Sequence, residues 1–152
     1  MKALSIQHPW AHAVAYWEKT VENRTWWTGC REEIAIHASK KFDDDALQGR
    51  RIAEALTRAA SSPAVPYASG AIIAVATIKG CHDWGGAACD CGHAGNLCSP
   101  WAAEGPGQWH WHLWGARALA EPVPCRGALG LWRLPDDVEH AVMAQLTAAE
   151  VS

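Results

Sequence analysis

Residues 71–78, Ala71-Ile72-Ile73-Ala74-Val75-Ala76-Thr77-Ile78 (AIIAVATI), form the most apolar run of the chain. A charge-free stretch this short, rich in β-branched side chains, reads as a buried strand rather than a helix. Weaker strand signals lie on either side of it. Glu33 to His37 (EIAIH) alternates as a strand should, and Ala3-Leu4-Ser5-Ile6 is a short strand. Trp109 to Leu113 (WHWHL) and Ala128 to Leu134 (ALGLWRL) follow. Together, residues 3–6, 33–37, 71–78, 109–113 and 128–134 predict one barrel-like sheet in an α+β fold.

Helices are placed between these strands. His8-Pro9 opens the first, because proline at the first helical position lacks an N–H that has no partner there. Trp10, Ala13, Val14 and Trp17 then recur at i, i+3, i+4 and i+7, one buried face. Asp43, Asp44 and Asp45 supply the negative charge favoured at a helix N-terminus. Leu47, Ile52, Leu56 and Ala59 continue that helix until Ser61-Ser62-Pro63 stops it. Asp136 and Glu139 resemble a capping box and predict a last helix over about 136–149. Residues 82–108 are rich in Gly, Cys and Pro without a period, which marks a long functional excursion. No internal repeat is visible, and the 152 residues are read as a single domain, 1–152.

Composition narrows the function. Apolar residues make up 49% and charged ones 19%, enough for a packed core and against global disorder. Ten tryptophans stand against one Phe and two Tyr. Indole joins a large flat face to one N–H donor, which suits both cores and aromatic-walled pockets. A net charge of −3 argues against a long-duplex binder, which needs clustered Lys and Arg. Residues 1–60 carry nine basic and eight acidic side chains, and residues 61–152 carry four and eight. Any basic patch is therefore local, drawn from Lys19, Arg24, Arg31, Lys40 and Lys41. The expected partner is a nucleoside or short single-stranded RNA, with no long duplex DNA and no membrane. The opening MKALSIQHPW has too short an apolar run for a signal peptide, and no run approaches the ~20 apolar residues of a membrane span. A cytoplasmic location follows, with the six cysteines as reduced thiols or metal ligands.

Residues 18–27, EKTVENRTWW, concentrate polar chemistry beside indoles. Lys19 and Glu22, three apart on an extended segment, would face opposite ways in a regular strand, so a bend is needed to bring them together. A lysine acts as a base only when desolvation or a nearby cation depresses its pKa. The segment is either a pocket floor or a set of ion pairs, Lys19–Glu22 and Glu22–Arg24, tying a helix to the barrel. Lys19 is read as an exposed cleft residue whose removal spares the fold. Trp26 and Trp27 are adjacent, so one of them faces the cleft, where stacking on a base contributes about 1–3 kcal/mol. Trp10 and Trp17 are assigned to the core. Ser5 and Gln7, at the SIQHPW turn, can hydrogen-bond a base edge. In WHWHL, Trp109 and Trp111 share one face and His110 and His112 the other. The plain expectation is inward tryptophans and solvated histidines.

SIQHPWAHAV, KTVENR, IAIHASKK, AIIAVATI, SPWA and PVPCRGALGLWRLP, in this order and spacing over residues 3–135, resemble the ASCH domain of the PUA-like superfamily. The resemblance implies a small, curved PUA-like β-barrel flanked by helices, with a cleft on one face. It implies RNA binding, nuclease activity in some members, or amide hydrolysis of an acylated cytidine in a short bacterial branch. That branch carries a K-T-x-T-x-R motif, onto which Lys19, Thr20 and Arg24 map, while Glu22 stands where the branch has its catalytic Thr. A carboxylate can serve as a base but not as a hydroxyl. Lys19, Glu22 and Arg24 are the catalytic candidates; Ser5, Gln7, Thr20, Asn23, Trp26 and Trp27 are the ligand-binding ones. The branch also uses a Glu after the long apolar strand, a place open here to Asp83 or Glu104.

The excursion holds Cys81-His82, Cys89-Asp90-Cys91-Gly92-His93 and Cys98. Cys89, Cys91, His93 and Cys98 suffice for a structural zinc, with Cys81 or His82 as substitutes. The alternative is a set of free thiols, because C-x-C is not the usual zinc knuckle. Cys30 and Cys125 read as buried small hydrophobes. Two functional classes remain: a hydrolase acting on a nucleoside or short RNA, and a reader that binds a modified base without turnover.

Overall fold

Strand β4 (Ala71–Asp83) lies inside a six-stranded sheet, and the apolar run at its start is packed on both faces. The structure is a computed structural model that describes residues 1–59, 61, 65, 67–85 and 98–151. In chain order the elements are β1 (Lys2–His8), α1 (Trp10–Tyr16), β2 (Val21–Arg24), β3 (Glu33–Phe42), α2 (Arg50–Ala59), β4, β5 (Trp109–Pro124), β6 (Leu131–Arg133) and α3 (Asp136–Val151). The strand order is β2-β5-β4-β3-β1-β6. Among the described residues only β1 and β3 run parallel, with α1 and β2 lying between them in sequence.

The sheet curls into a half-barrel, an α+β fold with three helices among the described residues. Bulges produce the curl. The β4–β5 register shifts at Ile72/Ala74, Val75/Thr77 and Ile78/Gly80, and each extra residue bends the strand and increases its twist. They also break the alternation of β4. Ile73, Ala76 and Ile78 pack against Ala11 and Val14 of α1, whereas Ile72 and Val75 pack against Val138, Val142 and Leu146 of α3. A strand covered on both faces reads as continuous apolar sequence.

Several expectations are corrected. Helix α2 begins at Arg50, not at the aspartates. Asp43 Oδ1 accepts the Asp45 N–H at 3.0 Å and Oδ2 accepts the Trp10 indole at 2.7 Å. Asp43 thus builds a side-chain turn, the competing use of such residues. Glu139 does not close a capping box; its carboxylate pairs with the amino group of Met1. β5 is buried on both sides at its start: His110 and His112 are buried along with Trp111. Cys30 and Cys125 are half-buried rather than core. Among the described residues, no helix is long and apolar enough to cross a membrane.

Candidate functional site

The chain turns sharply after α1. Glu18 takes a left-handed conformation at φ 53°, and the Lys19 N–H returns to Ala13 O at 3.0 Å. Lys19 therefore precedes β2, and the bend required to bring it to Glu22 is supplied by Glu18. Lys19 Nζ lies 2.6 Å from Glu22 Oε2 and also donates to Val21 O. Glu22 Oε1 is 3.2 Å from an Arg24 Nη, since residues two apart on β2 share a face. That Arg24 nitrogen also donates to Ser5 O on β1, at 2.8 Å.

Lys19 is not an exposed cleft side chain. It is 2% exposed and Glu22 6%. Burial pushes the Lys19 ammonium below the ordinary lysine range; the charge and hydrogen bond of Glu22 oppose this, and Arg24 adds to it. The Trp10 ring covers the amine, with its centroid 5.9 Å from Nζ.

These three residues sit at the floor of a cleft of about 1600 Å³. Ser5, Gln7 and Asn23 line it as well. So does Trp10, which sequence reasoning placed in the core; its indole N–H is fixed on Asp43, leaving the ring as cleft wall. Trp26 and Trp27 do not line the cleft. Trp26 stands edge-on against Trp111, centroids 4.5 Å apart, and Trp27 is 58% exposed against Gly29. The signal that could have singled out Trp10 is its place directly after the SIQHP turn. Thr20 is exposed and its hydroxyl lies 3.2 Å from Ser99 Oγ, also away from the cleft. Asn23 has a bridging role: its amide donates to Trp101 O at 2.9 Å and accepts from the Ala103 N–H at 2.8 Å. Of the two later acids, Glu104 lines the cleft and Asp83 does not.

His37 was absent from the sequence-based set. Its Nε2 is 3.0 Å from Cys125 O, and its buried Nδ1 has no partner among the described residues. Burial holds this imidazole below its ordinary range, the Cys125 hydrogen bond working the other way. Gly127 permits the arrangement, because a Cβ there would run into the His37 ring and Ser5 Oγ. Lys19, Arg24, Lys40, Lys41, Arg50 and Arg126 line the cleft, as do Glu22, Asp43, Asp45, Glu54 and Glu104. The near balance favours a neutral or singly charged ligand over a polyanion. Arg31 stays outside.

Cys89, Cys91 and His93 lie outside the described residues. Cys98 comes together with His82 and His110, one ligand atom from each lying within 4.8 Å of the others. His110 was expected to face solvent. What misled was the alternation rule, which fails where both faces of a strand are covered.

The ASCH domain model matches residues 4–122. The chain belongs to the ASCH domain family. Two crystal structures of ASCH proteins from Zymomonas mobilis share the fold of this ASCH domain: a mutant of ZmASCH (TM-score 0.53, 12% identity, covering 94% of this chain and 96% of that one) and ZmASCH itself (TM-score 0.52, 12% identity, 94% and 93%). No curated protein matches the chain.

Proposed function

We propose that the cleft takes a nucleoside and hydrolyses an amide on its modified base, an acylated exocyclic amine of cytidine being the model substrate. One observation supports this above the rest: a lysine nearly sealed from solvent, bonded to a carboxylate, at the floor of an open cleft of about 1600 Å³. Perturbed, paired ionisable groups in a cleft are enriched at catalytic sites.

The chemistry follows from valence. A neutral Lys19 amine keeps two N–H donors for Val21 O and Glu22 and has a lone pair left over. That lone pair takes a proton from water; the hydroxide adds to the acyl carbon; the C–N bond breaks as Lys19 returns the proton to the leaving amine. The products are a carboxylic acid and the unmodified base. Glu22 positions Lys19, and Arg24 lowers its proton affinity and neutralises Glu22. The Trp10 face stacks the base, and the open Nδ1 of His37 and the side chain of Gln7 address its edge.

A reader without turnover is the second reading. It is favoured by the tight Lys19–Glu22–Arg24–Ser5 chain, which already uses most of the donors. Incubation with N4-acylcytidine separates the two. Release of cytidine that is lost in Lys19→Met supports hydrolysis. Binding without release, weakened by Trp10→Ala by about 1–3 kcal/mol, supports the reader.

A further inference from the structure

Strands β4 and β5 place His82 opposite His110, with His112 two residues along. All three rings are buried: His82 3%, His110 0% and His112 8% exposed. A polar cluster this deep needs partners for every nitrogen. Two outer nitrogens are held by backbone carbonyls: His82 Nδ1 lies 3.0 Å from Asp83 O, and His110 Nε2 lies 2.8 Å from Ala103 O. A carbonyl can only accept, so both of these nitrogens carry the hydrogen. His82 Nε2 and His110 Nδ1 are left with lone pairs. Such outer hydrogen bonds are what fix the tautomer of metal-binding histidines.

The inward atoms converge. Cys98 Sγ is 3.6 Å from His110 Nδ1, and His82 completes a group within 4.8 Å. A tetrahedral zinc with Zn–N of about 2.0–2.1 Å and Zn–S of about 2.3 Å has N···S edges of about 3.5–3.6 Å and N···N edges of about 3.3–3.4 Å. The Cys98–His110 edge already has this length. His82 Nε2 is also 3.2 Å from His112 Nε2.

We propose that His82, Cys98 and His110 bind a zinc ion as its three protein ligands, a water completing the tetrahedron. The ion would staple residues 98–103 to the β4–β5 strands. That segment supplies Ala102 and Ala103 to the cleft wall, and Ala103 is held between His110 and Asn23. The metal is thus structural for the wall and takes no part in the bond changes. It stands independently of the hydrolase reading, because its signatures are metal content and spectrum.

The test uses protein purified without chelator under reducing conditions. About one equivalent of zinc is expected, and cobalt substitution should give a thiolate-to-cobalt charge-transfer band in the near ultraviolet. Cys98→Ala should remove the band and most of the zinc, while Cys89→Ser/Cys91→Ser leaves both. Chelation should lower the melting temperature and speed hydrogen exchange at the Ala103 amide. No retained zinc in protein offered the metal, or a band that survives Cys98→Ala but not the Cys89/Cys91 change, overturns the proposal. His110→Gln, which keeps a side chain near that size, guards against misfolding: folded protein with full zinc content counts equally against it.

Discussion

Lys19 concentrates the tension between stability and function. Its ammonium and the Glu22 carboxylate are both withdrawn from water, so each depends on the other. Lys19→Ala strands Glu22 with only Arg24 as counter-charge and should lower stability by about 3–5 kcal/mol. The double change Lys19→Met/Glu22→Gln removes both buried charges and should recover much of that loss in chemical denaturation. Equal losses in the single and double variants would mean that the pair is weakly coupled. The histidines carry a second effect. Burial, with His8 nearby, holds His12 below its ordinary range, and burial does the same for His37. The sign is fixed by linkage: above about pH 6.5 neither state binds these protons, and below it the unfolded chain binds them first. Stability should therefore fall as pH drops from 7 toward 5.5, and His12→Phe should flatten the slope in thermal melts. A slope unchanged by that substitution would remove His12 from the account.

At the scale of elements, the cleft wall hangs on Asn23. Its two hydrogen bonds reach residues 101 and 103 from β2. Asn23→Ala leaves an N–H and a C=O of that segment in need of new partners and should cost about 1–3 kcal/mol. Exchange at the Ala103 amide should accelerate while β4 stays protected; unchanged exchange there would show that Asn23 does not hold the wall. The strands were legible from local pattern because their apolar content is set by burial in the sheet. AIIAVATI, EIAIH, WHWHL and ALGLWRL all contain strand, with β4 and β5 running well beyond the segments read. The start of α2 was not legible, since an Asp run favours a helix N-terminus and a side-chain turn alike. The choice was made by the Trp10 indole, distant in sequence. His110 was misplaced for a similar reason, because the cover over its face comes from Cys98 and Ala103. Within the site, Lys19, Glu22 and Arg24 were found through the motif and do meet. Trp10 and His37 were missed because a cleft wall is a property of packing, not of spacing.

For the whole molecule, the half-barrel holds a cleft whose charges nearly cancel. Binding of a nucleoside there should change little between 50 and 200 mM salt, whereas a binder making 6–10 phosphate contacts would lose about 10³–10⁵ in affinity. A steep salt slope in fluorescence titration would point instead to an extended phosphate footprint along Lys40, Lys41 and Arg126. Membership of the ASCH family agrees with the fold but leaves the substrate to chemistry at the cleft floor. The most direct measurement is the appearance of cytidine and free carboxylate from N4-acylcytidine, followed by chromatography across pH for the parent protein and Lys19→Met. The account predicts release that rises with pH through an inflection below the ordinary lysine range, and none with Lys19→Met. Release at the same rate in Lys19→Met, or none from the folded parent protein at any pH, would contradict it.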